Sequence, residues 1–126
     1  MISCEIIGSH SRISRRDLQE IFFWGISELM PSRRSLDVVI SIYDLRDEGV
    51  TGYHYNHDRY NHEIELSKYQ TRSDIITALF HELVHVRQTS NRIYSEDHIP
   101  YYERPTEIEA YQLQEELYTK WKTTTK

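Results

Sequence analysis

Apolar positions recur along this chain in two rhythms, one of strands and one of helices. Ile2 to Gly8 (ISCEIIG) is short and β-branched and ends at a glycine, which predicts a first strand. Ser14 followed by Asp17 is a capping pattern, and Leu18, Ile21, Phe22, Gly25 and Leu29 then repeat at helical spacing until Pro31 stops the run. Ser35 to Leu45 is the most strand-like stretch of the chain. Two further strands are expected at Val50 to Asn56 and Glu63 to Ser67, joined by a polar turn around His57 to Asn61.

Thr71 with Asp74 opens a helix expected from Arg72 to Ser90. Asn91 to Tyr102 reads as an irregular polar loop. Pro105 suits the first turn of a last helix running to about Lys120, with 121–126 as a frayed tail. The order β-α-β-β-β-α-α predicts an α+β domain with helices against one face of a mixed sheet. One domain is expected over 1–126, since a chain of this length holds a single core.

The helix at 72–90 changes the picture. Ile75, Ile76, Leu79, Phe80, Leu83, Val84 and Val86 make it apolar nearly all round, so it is expected to be buried. Yet Ala78, His81, Glu82, His85 and Gln88 form a narrow stripe along it. Positions four apart lie about 40° apart around a helix axis, so His81 and His85 project side by side. Burying two imidazoles and a carboxylate is costly unless an ion or mutual hydrogen bonds satisfy them.

The stretch is an H-E-x-x-H arrangement, His81-Glu82-Leu83-Val84-His85. Neutral imidazoles spaced i, i+4 provide two corners of a tetrahedral Zn²⁺ site. A bound ion lowers the pKa of its water to about 7, and a carboxylate one step round can take the proton. Glu82 is the candidate general base.

Composition narrows the alternatives. Seven histidines are many for 126 residues, which favours metal chemistry. A net charge of −5 gives no overall attraction to nucleic acid or to anionic membranes. No apolar run reaches the ~20 residues of a membrane span. The first residues lack the basic and apolar regions of a signal peptide. Cys4 is the only cysteine, so no internal disulfide forms; it reads as a small apolar strand residue. These features predict a protein working in a reducing cytoplasm; a monomer is expected, and the H-E-x-x-H arrangement makes a peptide or protein its expected substrate.

Two histidines do not complete a catalytic zinc site, which needs a third protein ligand and an open position. The last helix offers Glu103, Glu107 and Glu109 near its start and Glu115 and Glu116 further along. On position alone, Glu107 serves equally as an acid favoured by the helix dipole. HELVH followed some twenty residues later by RPTEIEAY resembles the gluzincin zinc metallopeptidases, and the small size resembles their minimal members, the minigluzincins, and short phage and bacterial metallopeptidases. In that clan a glutamate helix carries E-x-x-A or E-x-x-x-D, and the resemblance implies that Glu107, three before Ala110, is the third ligand. Helical register agrees. Glu109 lies about 200° round from Glu107, and Glu103 precedes Pro105, outside the helix. The chain departs from the pattern at Tyr111, where many members place an Asp that orients a ligand histidine. Tyr111 or Glu103 is expected to serve instead.

His98, Tyr101, Tyr102 or Tyr111 is expected to donate to the oxyanion of a tetrahedral intermediate; His98 and Tyr111 are the named candidates. The resemblance also implies that the strand before the motif helix, at Ile64 to Leu66, is a sheet edge that receives substrate. His54, His57 and His62 look like a second metal cluster, but no fixed face gathers them, and an exposed hairpin beside a cleft is expected. Arg87 and Gln88 are expected in a salt bridge and polar network at the helix end. The function expected is zinc-dependent peptide hydrolysis, with a non-catalytic, metal-stabilised binding or regulatory protein as the alternative.

Overall fold

Four strands pair in the order β1-β2-β4-β3, where β1 is Ile2–Ile7, β2 Leu36–Tyr43, β3 Gly52–Asn56 and β4 Asn61–Ser67. The computed structural model describes residues 1–91, 96 and 98–124. Helix α1 spans Arg15–Leu29, α2 spans Arg72–Asn91 and α3 spans Pro105–Thr124, with short 3₁₀ turns at Arg46–Glu48 and Tyr101–Glu103. The protein is thus α+β in the expected order, with a mixed sheet: β1, β2 and β4 are parallel, and β3 runs antiparallel to β4.

Strand periodicity decides which side of the sheet the core occupies. Ile2, Cys4 and Ile6 of β1 sit in register with Leu36, Val38 and Ile40 of β2. Across β2, Val38, Ile40 and Ile42 meet His62, Ile64 and Leu66 of β4. Those of β2 and β4 are all buried, whereas Glu5, Asp37 and Tyr43 on the alternate positions are exposed. One face of the sheet therefore carries the core, and α1 and α2 contact strands as well as each other. Phe22, Phe80, Leu18, Ile26 and Leu83 are fully buried between them. A Cβ at Gly25 would come 2.8 Å from Leu83 Cδ1, so the missing side chain lets α1 approach α2 closely.

Both expected caps are present. Ser14 Oγ accepts from Asp17 N at 3.0 Å, and Thr71 Oγ1 accepts from Asp74 N at 3.1 Å. The C-terminal helix outruns its expected end at Lys120. Thr123 and Thr124 return hydroxyl bonds to the Lys120 carbonyl, and the Tyr118 and Trp121 rings lie 6.0 Å apart, so the segment after 120 is helix through Thr124 rather than frayed tail. Residues 92–95 and 97 of the expected loop, and 125–126, lie outside the described residues.

One expectation is overturned. The strand at Ile64 to Leu66 is not a sheet edge: β4 pairs with β2 on one side and β3 on the other. Its fully buried Ile64 and Leu66 demand neighbours on both sides, whereas β3 presents Gly52, His54 and Asn56 inward, a set that tolerates a cleft. The free edge beside α2 is β3.

Candidate metal centre

Helix α2 lies under the core face of the sheet, and its polar stripe opens into a cleft of about 1030 Å³. Residues Gly49 to His54 form one wall, and Tyr101, Tyr102, Glu107, Tyr111 and Gln114 line the other. His81, Glu82 and His85 are on its floor; His81 is 7% and Glu82 5% exposed.

Glu107, in the first turn of α3, reaches both histidines. Its Oε1 lies 3.0 Å from His81 Nε2, and its Oε2 lies 3.1 Å from His85 Nε2. Ligand atoms of the three residues all fall within 4.8 Å of one another, the geometry of a group able to hold a metal ion. A tetrahedral zinc shell with bonds of about 2.0–2.2 Å sets its ligand atoms roughly 3.3–3.5 Å apart, close to the spacing found here. Among the described residues no fourth side chain joins the group.

The far nitrogens of the two rings decide what the near ones can do. His85 Nδ1 is 2.7 Å from Gln88 Oε1. The amide of Gln88 can face only that way, because its Nε2 donates to the Thr106 carbonyl at 3.0 Å and to Glu109 Oε1 at 2.9 Å. Nδ1 of His85 therefore carries a proton. His81 Nδ1 meets Gln114 Oε1 at 2.7 Å, the amide oxygen accepting its proton. In the neutral rings both Nε2 atoms are then lone pairs aimed at a carboxylate. That contact is repulsive unless a proton or a cation lies between. The residues present fit a divalent ion on this ground.

The electrostatics follow. Burial pushes the Glu107 carboxyl upward; where a proton lies between it and each ring, the hydrogen bonds from His81 and His85 more than reverse this and hold it at about 2. For His85, burial presses the pKa down, while Glu107, Glu82 and Gln88 raise it above the ordinary value overall. Glu82 is pushed up to about 7, chiefly by burial; His81 and His85 oppose the shift and Glu107 adds to it. Glu82 sits against the edge strand, since a Cβ on Gly52 would stand 3.3 Å from its Oε2.

The expected residues are distributed as follows. His81, Glu82, His85 and Glu107 converge. Tyr111 lines the cleft with its ring edge-on to His81, centroids 4.5 Å apart, and its hydroxyl 3.5 Å from that of Tyr101. Its place beside His81 does not make it the partner expected in place of the usual Asp. Gln114 holds His81 and Gln88 holds His85, and Glu103 is exposed. His98 stands exposed in a turn and does not line the cleft. Arg87 does pair with Glu109, at 3.5 Å.

The hairpin histidines correct the reading made for them. His57 is exposed beside Glu63, but His62 is 1% exposed, and its Nδ1 lies 2.9 Å from His54 Nε2, the rings stacked. His54 in turn stacks on His85, centroids 6.1 Å apart. Burial, then the nearby His62 and His85, hold His54 neutral with a pKa of about 3. The inward period of β3 and β4, which places His54 and His62 on the core face, was the signal.

No protein-family model matches the chain, and neither a curated protein nor a solved structure does. Among the described residues no helix is long and apolar enough to cross a membrane.

Proposed function

We propose that the protein is a zinc-dependent metallopeptidase of the gluzincin type, with His81, His85 and Glu107 as the metal ligands and Glu82 as general base. The observation that carries this reading is the convergence of two tautomer-locked histidines and a glutamate beside a buried carboxylate, in a cleft bounded by a free strand edge. When bound there, zinc supplies Lewis acidity and a water with a pKa near 7. A three-residue ligand set leaves one position open, which favours a catalytic over a structural site.

The chain's own groups cover the remaining roles. Glu82 takes the proton of the attacking water and returns it to the leaving amine. Its burial excludes bulk solvent. The edge of β3 offers main-chain donors and acceptors to an extended peptide. Tyr101 and Tyr111 line the cleft beside Glu107 with their hydroxyls 3.5 Å apart, and would donate to a developing oxyanion.

The test is peptide-library cleavage by zinc-loaded wild type and by Glu82→Gln. The variant is expected to retain the metal and to cleave at least 10²–10⁴-fold more slowly. Equal cleavage by both proteins, or a wild type that retains no zinc, overturns the reading.

A further inference from the structure

The buried histidine pair on the hairpin has no part in the chemistry just described, yet its protons are fixed. His62 Nε2 faces the Arg59 carbonyl at 3.2 Å and Ser90 Oγ at 3.1 Å. A carbonyl only accepts, so His62 Nε2 carries the proton and its Nδ1 is an acceptor. His54 Nε2, 2.9 Å from that Nδ1, must then donate. Neutral His54 is left with a bare lone pair on Nδ1. That atom has no hydrogen-bond partner among the described residues and is not among their buried unpaired atoms, so it keeps access to solvent in a residue that lines the cleft.

The relay has no route to solvent, because it ends at a backbone carbonyl and the buried Ser90 hydroxyl, behind a residue that is 1% exposed. Its effect is to hold one tautomer. The position of the resulting acceptor is set by β3. Gly52 lies against Glu82, and two residues on, His54 stacks on His85. The cleft continues past His85 with Asn56, Gln88, Thr89, Glu96 and Thr106, all polar. At its other end stand Gly49, Val50, Thr51, Thr77 and Ala78, with the acid Asp74 beside them.

We infer that His54 is a specificity-determining residue: its Nδ1 accepts a hydrogen bond from a substrate side chain in the polar half of the cleft. The site therefore selects peptides that carry a donor there, such as Ser, Thr, Asn or Lys. This inference rests on the peptidase reading. His62 is the positioning residue that keeps His54 in the accepting tautomer.

Two measurements test it. The ¹⁵N shifts of the histidine rings in the metal-free wild type report the tautomer directly and need no variant. His54 is expected to show a protonated Nε2 and an unprotonated Nδ1; a protonated Nδ1 overturns the inference. The second uses zinc-loaded Glu82→Gln and a fluorescent heptapeptide set in which each position in turn is Ser, Thr, Asn or Lys against Ala, Val or Leu. At one position Ser, Thr and Asn are expected to bind roughly three- to tenfold tighter, the range for one neutral hydrogen bond, and the charged Lys at or above that range. Adding His54→Phe should bring that ratio to about one at unchanged zinc content, and His54→Gln, which keeps an acceptor, should restore part of it. Peptide binding with a ratio that His54→Phe leaves unchanged overturns the role of His54 and leaves the peptidase reading intact. Absence of any peptide binding overturns both.

Discussion

Gly52 and Glu82 are packed so closely that no side chain fits between the edge strand and the carboxylate. A Cβ at position 52 would meet the Glu65 carbonyl at 2.9 Å, Leu66 Cδ2 at 3.2 Å and Glu82 Oε2 at 3.3 Å. The carbonyl belongs to a strand paired on both sides and cannot give way. Gly52→Ala is expected to push β3 outward, costing about 1–3 kcal/mol of stability as overpacking does. It should depress hydrolysis while zinc binding persists. Urea denaturation and metal analysis of the variant check this, and unchanged stability together with full activity would mean the contact is slack.

The ligand assignment predicts an order of effects. Glu107→Ala removes two contacts to the histidines and should lower zinc affinity most. Glu109→Ala acts at one remove, by releasing the Gln88 amide that holds His85, and should cost on the order of 10-fold. Glu103→Ala, at an exposed position, should cost nothing measurable. Competition against a chelator ranks the three; a site emptied by Glu103→Ala but not by Glu107→Ala would move the third ligand elsewhere.

Gln114 gives a cleaner test of tautomer locking. Gln114→Leu takes away the acceptor for His81 Nδ1 and is expected to weaken zinc binding about 10–100-fold. Gln114→Glu keeps an acceptor at the same reach and should bind zinc at least as well as wild type. If the Leu and Glu variants behave alike, the 2.7 Å contact plays no part in metal affinity.

Glu82 predicts a pH dependence of the metal-free protein. Its folded-state pKa of about 7 stands above the ordinary 4.5, because burial favours the protonated form. That preference stabilises the fold fully below pH 4.5 and is lost as pH rises through about 7. Relative to Glu82→Gln, metal-free wild type should therefore lose roughly 3 kcal/mol across this window. Added zinc should narrow the gap, since a nearby cation favours the carboxylate. Denaturant midpoints of both proteins on either side of the window decide it; parallel curves would show that Glu82 ionises normally.

Much of this was legible in the sequence, for physical reasons. The i, i+4 histidines fall on one helix face whatever surrounds them, so His81 and His85 were placed by period alone. Ser14 and Thr71 announced their helices through local caps. Strand order was not local information. Whether β4 or β3 forms the edge depends on which strand pairs with β2, 18 or more residues away in sequence, and the apolar content of Ile64 and Leu66 was the only hint. Gln88 and Gln114 were missed as histidine partners because a glutamine on a helix has no signature of its own. Only the register, three residues after His85 and seven after Glu107, places them beside the rings.

The grip of α3 on the rest of the molecule has a consequence for folding. Its buried residues are Glu107, Ala110 and Leu117, far fewer than those of α2, although Leu113, Tyr118 and Trp121 pack partly on the core. Glu107 joins His85 across 22 residues of chain and His81 across 26. An ion shared by the three would act as a cross-link, closing a loop whose entropy cost grows only slowly with its length. The last helix would then be fastened less by its own apolar face than by a clasp, and stripping the ion should show first as faster amide exchange along α3, before the sheet and α2 respond.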